Sequence, residues 1–125
     1  MLATIQTDKA PAAIGPYSQA IVCNGFVFIS GQIPINPENQ ELLEGTIEEQ
    51  TRLVMKNLGQ ILESSGSSFD KVVKTTIYLR DLNDFGEVNK IYGEFFSSHK
   101  PARACVQVAR LPKEVGIEID AIAAN

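Results

Sequence analysis

At 125 residues, 44% hydrophobic and 21% charged, the chain is long enough to bury a core without disulfides or a structural metal, and its composition is that of an ordinary globular protein. The formal charge of −4 counts against a dedicated nucleic-acid binder, whose affinity rests on clustered Lys and Arg facing phosphates. No apolar run reaches the roughly 20 residues of a membrane helix, and Met1-Leu2-Ala3-Thr4-Ile5-Gln6 lacks the basic and apolar blocks of a secretory leader.

These properties predict one domain over residues 1–125. Cys23 and Cys105 lie far apart in apolar runs, with no metal-ligand spacing. They read as reduced thiols, which favours a reducing compartment and a cytoplasmic location.

In chain order, a short strand is expected at residues 4–6. The segment Ala10-Pro11-Ala12-Ala13-Ile14-Gly15-Pro16-Tyr17-Ser18 is neither helix nor central strand, because its prolines cannot donate backbone hydrogen bonds. It is an ordered loop that directs the Tyr17 ring. Residues 19–23 and 26–30 form β-prone runs around Asn24-Gly25, a pair that tolerates positive φ and marks a tight hairpin. Gly31 after Ser30 permits close backbone approach, and an exposed loop should run to Gly45.

Thr46-Ile47-Glu48-Glu49 fits a capping box. Behind it Ile47, Val54, Leu58, Ile61 and Leu62 follow helical spacing, with Gly66 as the C-terminal cap. Val72–Leu79 is rich in β-branched residues. Alternation places Val73, Thr75, Ile77 and Leu79 on one face and Thr76 and Tyr78 on the other. A second helix, capped by Asn83 or Asp84, carries Phe85, Val88, Tyr92, Phe95 and Phe96 on its apolar face. Asn89 falls near that face, either as a ligand contact or as a core amide bonded to backbone. The single histidine, His99, sits in a polar loop and reads as solvated surface.

The last two strands carry the chemistry. Residues 101–108 alternate Ala104, Val106 and Val108 against Arg103, Cys105 and Gln107, and Ile117–Ala124 alternates Ile117, Ile119 and Ala121 against Glu118, Asp120 and Ile122. With the turn at residues 111–116 between them, the two strands are expected to be hairpin partners. Arg103 offers a permanent cation with a planar fork, suited to gripping a carboxylate. Glu118 between two isoleucines is a carboxyl for proton transfer or for orienting water. The competing reading is that the two pair with each other or cap strand ends. Cys105 lacks a placed histidine to activate a thiolate, so its backbone carbonyl is the better contributor. Ser30 and Gly31 offer a hydroxyl and an N–H to an anion, and Tyr17 offers a cover.

The order hairpin, helix, strand, helix, hairpin predicts an α+β two-layer sandwich of a mixed sheet with both helices on one face. The other face, with Thr76 and Tyr78, would be covered by further copies of the chain.

Over essentially its full length the sequence resembles the RidA (YjgF) family of reactive-intermediate deaminases. The motifs are Ala10–Gln19, Ser30-Gly31-Gln32-Ile33-Pro34, Asp81-Leu82-Asn83-Asp84-Phe85 with Asn89, and Pro101-Ala102-Arg103-Ala104-Cys105-Val106 through Ala109-Arg110-Leu111-Pro112 to Ile117-Glu118-Ile119. The resemblance implies a chorismate-mutase-like fold and a homotrimer with sites between subunits. It also implies cofactor-free hydrolysis of 2-imino acids and enamines (2-iminobutanoate, 2-iminopropanoate, 2-aminoacrylate) to 2-keto acids and ammonia. Carried over by motif, Arg103 clamps the substrate carboxylate and Glu118 positions water. The Cys105 carbonyl helps hold water or the imine nitrogen, and Tyr17, Ser30, Gly31 and Asn89 line the cleft; no metal is implied. Between His99 and Arg103 stand only Lys100, Pro101 and Ala102, a shorter approach than that of many relatives, which carry an aromatic residue just before the proline; the departure bears on the pocket rim and not on the core pair. Two other functions remain open: a ribonuclease or translation inhibitor, and a non-catalytic binder of small carboxylates.

Overall fold

The structure, a computed structural model, describes residues 2–125. The strands are β1 (Leu2–Ile5), β2 (Ala20–Cys23), β3 (Phe26–Gln32), β4 (Ile35–Asn36), β5 (Glu41–Leu42), β6 (Val72–Leu79), β7 (Ala102–Gln107) and β8 (Ile117–Ala124). The α-helices are α1 (Ile47–Ser64) and α2 (Phe85–Phe95).

Local signals set the ends of these elements. Asn24 and Gly25 take φ values of 52° and 81°, the doubly left-handed turn that matches the twist of the strands it joins. At the start of α1 the Thr46 hydroxyl accepts from Glu49 N–H at 3.1 Å while the Glu49 carboxylate accepts from Thr46 N–H at 2.9 Å. At its end Gly66 (φ 74°) lets its own N–H reach Glu63 O and that of Ser67 reach Leu62 O, a Schellman closure. The turn before α2 is capped by Asp81, whose carboxylate accepts from Asn83 N–H at 2.9 Å. Asn83 and Asp84, the expected caps, make no side-chain cap bond.

Six strands form one mixed sheet in the order β1-β2-β3-β8-β6-β7. Only β6 and β7 are parallel, as they must be with α2 returning the chain between them. This order corrects the expected hairpin of the last two strands: β8 inserts between β3 and β6, and β6 separates it from β7. Both helices cover one face. Val54, Leu58, Ile61 and Leu62 of α1 and Val88 and Tyr92 of α2 bury Val27, Ile29, Ile77, Leu79, Ile117 and Ile119, the α+β sandwich predicted.

Three details depart from the sequence reading. A register shift between Val72 and Lys74 turns Val73 outward and buries Val72 in its place. The stretch after β3 is not wholly loop, since β4 and β5 pair as a small hairpin. His99 is part-buried, with Nε2 2.6 Å from Val72 O, so it ties the segment before β7 to β6 and is no free surface side chain.

The sheet face opposite the helices carries Phe26, Phe28 and Val106, all exposed, beside Tyr78, Glu118, Asp120 and Ile122. No helix among the described residues is long and apolar enough to cross a membrane.

Candidate active site

Arg103 lies on β7, the edge strand, as Cα partner of Thr75. Thr75 is buried, so Arg103 points to the helix side. Phe85, Asn89 and Tyr92 fall at i, i+4 and i+7 on α2 and therefore share one face. That face meets the guanidinium: Nη1 donates to Asn89 Oδ1 at 2.6 Å. The guanidinium carbon sits 5.3 Å from the Phe85 ring centre and 5.0 Å from that of Tyr92, within cation–π range. Asn89 is thus an exposed partner of Arg103, not a core amide bonded to backbone.

Cys105, partner of Ile77, shares this side. With Leu82, Phe85 and Arg103 it lines a hollow of about 410 Å³. Burial pushes the Cys105 thiol above its usual range, and the Arg103 charge offsets only part of that, a poor setting for a thiolate nucleophile. Its carbonyl is better placed. Val108 N–H donates to Leu79 O, and alternate peptide groups of a strand point to opposite sides. The Cys105 carbonyl therefore faces the open edge of the sheet.

Glu118, partner of Tyr78, points to the opposite face. Its carboxyl rests on Gly31, where a Cβ would stand 2.8 Å from Glu118 Cδ and 3.1 Å from Cγ. Only glycine admits that approach without displacing the acid, and the register shift between Ile29 and Gln32 puts it there. Ser30 anchors this bulge: its N–H donates to Gln19 O at 3.0 Å and its hydroxyl to Ser18 O at 2.6 Å. Tyr17, Gly31, Ile33, Pro112 and Glu118 line a cleft of about 420 Å³. Glu118 has no hydrogen-bond partner among the described residues. Burial first, and the Asp120 charge second, raise its carboxyl above the usual carboxylate range. Asp120 itself accepts from the Tyr78 hydroxyl at 3.0 Å.

Gln19 is a residue to which the sequence reading assigned no role. Its buried amide accepts from Thr7 N–H at 2.7 Å and donates to Thr7 O at 3.0 Å and Pro11 O at 2.8 Å. These bonds hold the loop that presents Tyr17. The available signal was a polar residue at the start of an apolar strand run.

The structure therefore sorts the candidates into two groups. Arg103, Asn89 and Cys105 lie together on the helix side of β7. Glu118, Gly31 and Tyr17 meet at the bare face, with Ser30 at the bulge beside them. Arg103 and Glu118 do not pair. Ion pairs among the described residues are Arg52–Glu94, Lys90–Glu48 and Arg110–Glu114, which overturns the reading of Arg103 and Glu118 as a structural pair. No group of His, Cys, Asp and Glu among the described residues is arranged to hold a metal ion.

A family model described as Endoribonuclease L-PSP matches residues 7–125. The chain belongs to that family, the RidA family of the sequence resemblance. Within it, a RutC family protein of Pyrococcus abyssi is 56% identical over 119 residues, spanning 95% of this chain and 94% of that protein. The human protein named 2-iminobutanoate/2-iminopropanoate deaminase is 50% identical over 119 residues, covering 95% of this chain and 87% of its own length. A crystal structure of RidA from Psychrobacter superposes with a TM-score of 0.94 at 46% identity, covering 98% of this chain and 99% of that one. The RidA fold is thus common to these chains.

Proposed function

We propose that this protein hydrolyses 2-imino acids and their enamine tautomers, 2-iminobutanoate, 2-iminopropanoate and 2-aminoacrylate among them, to 2-keto acids and ammonia. We further propose that each site is built from two copies of the chain in a homotrimer. The observation that carries this reading is the division of the site. A guanidinium with no carboxylate partner stands on one face of the sheet, and a desolvated carboxyl with no partner stands on the other. One chain cannot bring them to a common small substrate, whereas a neighbour packed on the exposed Phe26, Phe28 and Val106 face offers its own complement. The human relative's name supports the reaction class.

In this mechanism Arg103 takes the substrate carboxylate in a bidentate grip and the imine carbon, already electrophilic, faces a water held by Glu118 and the Cys105 carbonyl. Water oxygen bonds to that carbon, the C=N π pair moves to nitrogen, and a water proton passes to Glu118 and then to the nitrogen. The resulting carbinolamine passes its hydroxyl proton, by way of Glu118, to the amino nitrogen; the C–N bond then breaks, ammonia leaves with the bonding pair, and the oxygen closes to the keto C=O. A carboxyl raised by burial and by Asp120 suits both halves of this transfer, because it takes up a proton more readily than an ordinary carboxylate and can give it back. Positioning plus one acid–base group, worth roughly 10²–10⁴ in rate, suffices without a cofactor.

The test couples a threonine dehydratase to threonine and follows 2-iminobutanoate decay. Native protein is expected to accelerate decay and R103A to fail. Unchanged decay with the native protein, or acceleration by R103A equal to the native, would sink the proposal. RNA cleavage by the trimer that disappears in R103A would favour the ribonuclease reading instead.

A further inference from the structure

The geometry points to Tyr92 as the positioning residue of Arg103, tied through its hydroxyl to Thr75. The inference rests on the reading of Arg103 as a carboxylate clamp and deepens it. Arg103 stands on an exposed edge strand, where a long side chain has many rotamers to lose when it binds. A clamp that had to be ordered by each substrate would bind weakly. Here the ordering is done in advance by the helix face described above. Asn89 takes one nitrogen at 2.6 Å, and two rings bracket the guanidinium carbon at 5.3 Å and 5.0 Å.

The two rings are not equivalent. Phe85 is only partly buried and has no polar handle. Tyr92 is 6% exposed, Thr75 is 1% exposed, and their hydroxyls lie 2.8 Å apart. Thr75 is also the residue of β6 directly beside Arg103 on β7. The chain Thr75–Tyr92–Arg103 therefore links the guanidinium to the strand that sets its own backbone position, through a buried bond that water does not compete for. The other guanidinium nitrogens make no hydrogen bond among the described residues, which leaves them for an incoming carboxylate. Tyr92 touches no reacting atom and acts through Arg103 alone.

The experiment compares native protein, Y92F, Y92L, T75V, R103A and the R103A/Y92L double variant. Each is titrated with 2-oxobutanoate by NMR and assayed for imine decay, with thermal melts alongside. Y92L is expected to weaken 2-oxobutanoate binding about five- to tenfold and to raise KM more than it lowers kcat. Y92F and T75V, which keep the packing and lose the tether, should weaken it about threefold. The Arg103 Nε–H resonance should be sharp in the native protein and broadened in Y92L. With Arg103 already removed, Y92L should weaken binding no further, because its effect passes through the guanidinium; should Y92L not fold, the same cycle is run with Y92F. Native-like binding by these variants, or an equal loss with Arg103 present and absent, overturns the inference. If R103A binds 2-oxobutanoate as the native protein does, the clamp reading fails and this inference with it. If binding behaves as expected while native protein leaves imine decay unchanged, the deaminase reading alone fails.

Discussion

Gly31→Ala is the sharpest single perturbation of the acid. Gly31 is outside the left-handed region, so alanine brings no backbone strain there and stiffens the unfolded chain by roughly 0.4–1 kcal/mol in the protein's favour. Its methyl meets the Glu118 carboxyl instead: it would overlap Oε2 outright and stand 2.8 Å from Cδ, well inside an ordinary contact of about 3.4 Å, so the carboxyl must retreat by roughly 1 Å or more, or swing to another rotamer. The nearest atoms belong to the free end of a side chain, so the fold absorbs the change and the position of the acid does not. Misplacing a reacting group by about 1 Å costs on the order of 10²-fold. G31A should therefore lose roughly 10- to 100-fold in kcat while its melting temperature stays close to native and 2-oxobutanoate binding through Arg103 is little changed. The assay is dehydratase-coupled imine decay with a parallel thermal melt. Native turnover in a folded G31A would refute the claim that Glu118 must sit on Gly31 to act.

Glu118→Gln should lower turnover by roughly 10²–10⁴ with a smaller effect on 2-oxobutanoate binding. Because the folded state raises this carboxyl, folding favours its protonated form. The stability it contributes is present at low pH and is lost as pH rises from the ordinary carboxylate range through the raised value. E118Q should accordingly melt above the native protein at neutral pH and show a flatter stability–pH curve; a lower neutral-pH melt would contradict the direction assigned. Cys105→Ala should leave turnover near native, since only the carbonyl of that residue is used and burial disfavours its thiolate. Loss of activity comparable to R103A would restore the thiol as a participant. Thr46→Ala, which opens the capping box, should cost about 1 kcal/mol by denaturant titration without touching kcat.

What the sequence conveyed well was local. The Asn24-Gly25 turn, the Thr46 capping box and the Gly66 closure each depend on a few consecutive residues, and each formed as read. Alternation correctly grouped Arg103 with Cys105 and Glu118 with Asp120. It could not say which of these pairs faced the helices, because a face is assigned only by register against a third strand. That strand is β6, where Thr75 meets Arg103 and Tyr78, three residues on and so on the other face, meets Glu118, which sends the two site residues to opposite sides. The hairpin expectation failed for a related reason. A short turn usually joins paired strands, but α2 requires β7 to run parallel to β6, and β8 then finds its partners on β6 and β3. The hold of α2 on Arg103 was half legible: Phe85, Asn89 and Tyr92 share a helix face by spacing, and the cation they meet comes from a strand whose place was unknown.

The central claim is that Arg103 of one copy works with Glu118 of another. It is tested by mixing R103A and E118A chains, each inactive alone, through co-unfolding and refolding, and assaying the hetero-oligomers for 2-iminobutanoate decay. Random assembly of a trimer at equal amounts gives about one quarter of the shared sites both native residues, and turnover near that fraction is predicted. Mixed oligomers that form and show no turnover above the separate variants would contradict it.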